Sequence, residues 1–62
     1  MPIVYVTMLQ GRTDEQKAKV AEAITKALAD HARSTPDQTH VVFEDVVSTN
    51  WAIGGKLLSI KS

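Results

Sequence analysis

Hydrophobic and polar positions change period along the chain, and each period predicts its own element. From Ile3 to Leu9 the run Ile-Val-Tyr-Val-Thr-Met-Leu is rich in β-branched and aromatic types, holds no Gly or Pro, and reads as a strand. Val4, Val6 and Met8 form a wholly apolar face suited to lie beneath a helix. Ile3, Tyr5, Thr7 and Leu9 form a mixed face that is still too apolar for bare solvent, so a second burial partner is implied.

After Gly11 the period lengthens. Thr13 and Gln16 fit a capping box, and Asp14 and Glu15 fall in the first turn, where the helix dipole favours acids. Val20, Ile24, Ala27, Leu28 and His31 recur at the spacing of one helical face, with Glu15/Lys19 and Glu22/Lys26 as i,i+4 pairs on the outer surface. The spacing predicts a helix over roughly 13–32. Ser34-Thr35-Pro36-Asp37 is a stop and a turn. His40 to Val46 then reads as a second strand, with Val41 and Phe43 on one face and His40, Val42 and Glu44 on the other. Strand, helix and strand at these spacings make a βαβ unit with parallel strands and a right-handed crossover. Ser48-Thr49-Asn50 breaks the pattern, and Trp51 to Leu58 predicts a hairpin arm or short edge strand turning at Gly54 and Gly55. The expected class is α/β: one domain over residues 1–62, a parallel two-stranded core and a C-terminal hairpin arm.

Composition adds a demand for company. A chain of 62 residues buries only about 60% of its unfolded surface, so a lone core is marginal. There is no cysteine for disulfides, and His31 and His40 are too few and too separated for a zinc site. Oligomerisation is the remaining support. Seven basic and seven acidic residues balance to zero without a Lys/Arg cluster, which argues against nucleic-acid binding. The apolar run at Ile3–Leu9 is too short to span a membrane and lacks the charged segment of a signal peptide. A cytoplasmic location is the simplest expectation.

Pro2 is the candidate with unusual chemistry. With Met1 removed, as is usual before a small residue, Pro2 becomes a secondary amine, and a free α-amine has a pKa of about 8 that burial or a nearby cation lowers. Such a group can act as a general base near neutral pH. Pro2-Ile3 opening a strand, then Leu9-x-Gly11-Arg12-Thr13-Asp14-Glu15-Gln16-Lys17, and later Ile53-Gly54-Gly55 together resemble the 4-oxalocrotonate tautomerase family. The resemblance covers nearly the whole chain without a gap, and Gly11 to Lys17 is its most specific part. It implies a cofactor-free and metal-free isomerase acting on a small carboxylic acid. It also implies a homo-hexamer built as a trimer of dimers, in which the arm reaches across to a neighbour.

Carried over residue by residue, the resemblance makes Pro2 the base and Arg12 a carboxylate-binding fork supplied by a neighbouring subunit. Trp51 matches an aromatic, usually Phe, that walls the pocket, and Leu9 and Ile53 match apolar lining positions. Each has a plainer reading: a proline starting an edge strand, a solvated loop arginine, an interface anchor, two packing residues. His40 departs from the pattern, because the best-known members carry a second arginine there. A neutral histidine donates one hydrogen bond and carries no charge, so His40 is either a weaker substrate contact or a polar strand residue. Arg33 is a conceivable substitute cation.

The expected activity is proton transfer in unsaturated 2-hydroxy or 2-keto acids. Two alternatives stand beside it. The same amine could form an iminium with an aldehyde or assist hydration of an acrylic acid, and a chain that keeps Met1 could be a non-catalytic oligomeric module.

Overall fold

The computed structural model describes residues 1–60. Strand β1 spans Ile3–Leu9, helix α1 spans Asp14–Ala32 and strand β2 spans His40–Val46. The two strands are parallel, in a register that sets Ile3 against His40, Tyr5 against Val42 and Leu9 against Val46. Single-turn 3₁₀ helices at Pro36–Gln38 and Ser48–Asn50 occupy the two breaks that the sequence marks. Short strands β3 (Ala52–Ile53) and β4 (Lys56–Leu57) pair antiparallel to form the arm. The βαβ unit and arm are those read from the pattern.

Local chemistry explains the boundaries. Thr13 caps α1: its hydroxyl accepts from the Gln16 N–H at 3.1 Å, and the Gln16 side chain accepts from the Thr13 N–H at 2.9 Å. That box satisfies two donors that the first helical turn leaves open. The helix ends at Arg33, which takes a left-handed conformation with φ 59° although it is not glycine. Gly54 and Gly55 turn the arm at φ 61° and 84°, a pair of left-handed residues that matches the twist of a two-residue hairpin.

Alternation along the strands divides the sheet as expected. Val4, Val6 and Met8 with Val41 and Phe43 are half-buried, whereas Ile3, Tyr5, Thr7, His40, Val42 and Glu44 are exposed. On the exposed face the Thr7 hydroxyl donates to Glu44 Oε1 at 3.2 Å. The helix sits rotated from its predicted face. Ile24 and Leu28 are half-buried with Lys17, Ala21, Thr25 and Ala29, while Val20, Ala27 and His31 are exposed. The ion pairs also differ: among the described residues they are Lys17–Asp45 and Lys26–Asp30, in place of Glu15/Lys19 and Glu22/Lys26. Lys17 and Asp45 join helix to sheet, and Lys26 turns toward the C-terminal carboxylate four residues on.

The isolated chain is not self-sufficient. No side chain among the described residues is fully buried, and Tyr5 is 72% exposed. The accessible surface is 4969 Å², against about 4,000 Å² for a compact chain of this mass. Its radius of gyration is 14.8 Å, against about 11 Å expected for a compact chain of this length.

Candidate active site

The fold sorts the candidate residues into two groups at opposite ends of the sheet. Pro2 stands just before β1, half-buried, and its carbonyl accepts a hydrogen bond from the His40 N–H at 2.9 Å. His40 opens β2 with its side chain exposed, so these two residues share one end. Arg33 belongs to the same end, because α1 runs back along the sheet and Arg33 terminates it.

The second group collects where the strands finish. Leu9 ends β1 half-buried, opposite Val46. The next residue, Gln10, donates its N–H to the Val46 carbonyl at 2.9 Å, after which Gly11 turns with φ 124° and Arg12 stands exposed before the Thr13 cap. Trp51 follows the turn after β2 and is half-buried; its carbonyl accepts from Leu58 N–H at 2.8 Å, which closes the arm at its base. Ile53, one step from the glycine turn, is 65% exposed. At a strand rise of about 3.3 Å per residue, Ile3 and Leu9 are separated by about 20 Å. Within one chain the structure therefore brings Pro2 to His40 but keeps it far from Arg12. The isolated chain holds no pocket among its described residues.

Backbone polarity shows where β1 is unfinished. Both Pro2 and Gln10 bond to β2 through their main chains, so the even-numbered peptide groups of β1 point to β2. Those of Ile3, Tyr5, Thr7 and Leu9 point the other way, to an edge that no strand covers among the described residues. This edge is seven residues long and carries no charge, proline or bulge of the kind that discourages pairing. The outer strand β2, by contrast, carries Glu44 and Asp45.

One pair was not singled out by the sequence reading. Asp45 belongs by alternation to the helix-facing set of Val41 and Phe43, and a carboxylate there needs a partner. Lys17 supplies it from the first turns of α1. The signal available was the charge at an inward position of the strand.

Residues 2–61 match the family model described as Tautomerase enzyme. A probable tautomerase of Bacillus cereus is 47% identical over 62 residues, covering 98% of this chain and 100% of that relative. The 2-hydroxymuconate tautomerase of Bacillus subtilis is 39% identical over 59 residues, covering 95% of each chain. The crystal structure of YwhB, described as a homologue of 4-oxalocrotonate tautomerase, superposes with a TM-score of 0.92 at 36% identity, covering 98% of this chain and 100% of that one. In length, fold and sequence the chain belongs to the tautomerase enzyme family, and it is an isomerase of the 4-oxalocrotonate tautomerase type.

Proposed function

We propose that the chain moves a proton in unsaturated 2-hydroxy or 2-keto acids, at a site assembled from more than one chain, with Pro2 as general base after Met1 is removed. The observation that carries this reading is the separation of Pro2 from Arg12 along a strand whose outer edge is open. A second copy pairing antiparallel along that edge, with its two-fold axis near Val6, sets Pro2 beside Gln10 of the partner subunit. Arg12 of the partner subunit then lies two residues further on. The same symmetry makes two such sites per dimer. Higher assembly, a hexamer by resemblance, covers the exposed face around Tyr5.

In that site the Pro2 nitrogen lone pair takes the proton of the 2-hydroxyl group. The electrons of the O–H bond form the carbonyl, the conjugated double bonds shift, and the distal carbon takes the proton back from the prolinium. No atom is gained or lost. Arg12 holds the substrate carboxylate with two parallel hydrogen bonds and draws electron density toward it. Trp51, Leu9 and Ile53 exclude water, and with the Arg12 cation they disfavour the protonated amine, which keeps the base available near neutrality. His40, tied by its backbone to Pro2, offers one hydrogen bond to a second substrate oxygen. The substrate class is supported by the relative that carries the name 2-hydroxymuconate tautomerase.

Met1 decides the chemistry, because while it is attached the Pro2 nitrogen is an amide without a usable lone pair. A homogeneous preparation that retains Met1, verified by intact mass, is expected to lose about 100-fold or more in kcat relative to the processed chain. Equal activity of the two forms rules out Pro2 as the base.

A further inference from the structure

The Gly11–Arg12 loop is gripped on both sides by the end of β2. Before it, Gln10 donates its backbone N–H to the Val46 carbonyl. After it, the Lys17 ammonium donates to Asp45 Oδ2, while the Lys17 N–H bonds the Thr13 carbonyl at 3.0 Å. Asp45 and Val46 are neighbours, so the segment carrying Arg12 is bracketed by two attachments to adjacent residues of one strand. Between the brackets, Gly11 contributes no side chain to hold the turn and Arg12 is exposed. Among the described residues, Lys17–Asp45 is the ion pair that joins two elements, since Lys26–Asp30 lies within α1.

We infer that Lys17 and Asp45 are positioning residues for Arg12: the pair fixes the first turns of α1 against β2 and thereby aims the guanidinium at a substrate carboxylate bound in the neighbouring chain's site. The inference rests on the reading of Arg12 as the carboxylate fork. Its chemistry is that of a second layer, in which neither residue touches the substrate. A bidentate contact depends on angle as well as distance, so loosening its anchor weakens carboxylate binding more than proton transfer. An exposed ion pair adds little to global stability, and what it supplies here is geometry.

The test is a double-mutant cycle on the processed, assembled enzyme, with KM and kcat read separately and assembly checked by sedimentation. Asp45→Asn and Lys17→Met are each expected to raise KM for a carboxylate substrate by about tenfold while kcat changes by less than about twofold. Lys17→Arg, which keeps the charge, is expected to stay near wild type. In an Arg12→Ala background the Asp45→Asn effect on KM is expected to vanish, because there is no fork left to aim. Amide hydrogen exchange at Arg12 and Thr13 is expected to quicken in Asp45→Asn whether or not Arg12 is present. An Asp45→Asn penalty that persists undiminished without Arg12, or unchanged exchange in that loop, overturns the positioning role and leaves Arg12 as the fork. An Arg12→Ala variant with wild-type KM overturns both.

Discussion

The His40 N–H donates to the Pro2 carbonyl at 2.9 Å, making it the first rung of the parallel ladder and fixing the proposed base to the first residue of β2. By register His40 lies beside Ile3 on the exposed face, at the same end of the sheet as Pro2. Arg12, by contrast, leaves from the far end of β1, so in the proposed site it comes from another chain.

In the proposed site, His40 is expected to govern how well a diacid is used. An arginine at position 40 would offer a planar, permanently charged fork where histidine offers a single hydrogen bond. His40→Arg should raise kcat/KM for a 2-hydroxymuconate-like diacid by about tenfold, the worth of one charge-assisted hydrogen bond of about 1.5 kcal/mol. Monocarboxylic enols, which need only Arg12, should change little. Unchanged diacid efficiency would make His40 an ordinary solvated strand residue.

Trp51 is expected to act through the amine's protonation. In the proposed site its ring shields the Pro2 amine from water, so without it the acid limb of the pH–rate profile, set by protonation of Pro2, is expected to move to higher pH. Trp51→Ala should show that shift with a loss of about tenfold in kcat/KM at neutral pH, whereas Trp51→Phe should keep the wild-type limb. A rate loss in Trp51→Ala with no movement of the limb would assign the ring to packing alone.

The open edge of β1 is expected to be where copies join. The Tyr5 N–H points away from β2, so Tyr5→Pro removes a donor from that edge without breaking the β1–β2 ladder. Sedimentation should show smaller species at concentrations where the wild type is assembled, with activity lost in parallel. Wild-type assembly of Tyr5→Pro would place the contact elsewhere.

Much of the fold was legible because its elements follow simple periods. Alternation from Ile3 to Leu9 and from His40 to Val46 gave both strands and their two faces, and Thr13 with Gln16 gave the helix start through the capping box. The glycine pair gave the turn of the arm. The rotation of α1 was not legible. A two-stranded sheet is narrow, and the long aliphatic stem of Lys17 covers apolar surface while its ammonium reaches Asp45, so a residue that reads as outward lies inward and Val20 moves to the flank. The left-handed Arg33 carries no sequence mark, since that conformation usually selects glycine or asparagine. For the site, residue chemistry and family resemblance named Pro2 and Arg12 and put them in different subunits, and the strand geometry adds a physical reason, since the two lie beyond opposite ends of β1.

The shared site is tested most directly by complementation. Pro2→Ala and Arg12→Ala chains, each strongly impaired alone and each processed at Met1, are unfolded, mixed in equal amounts and refolded, and the mixed assemblies are confirmed by mass. Half of the randomly formed dimers contain one chain of each kind, and one of their two sites then combines an intact Pro2 with an intact Arg12. Recovery of about a quarter of the wild-type activity, well above that of either variant alone, is expected. No recovery in assemblies shown to be mixed would contradict the shared site and would confine it to a single chain.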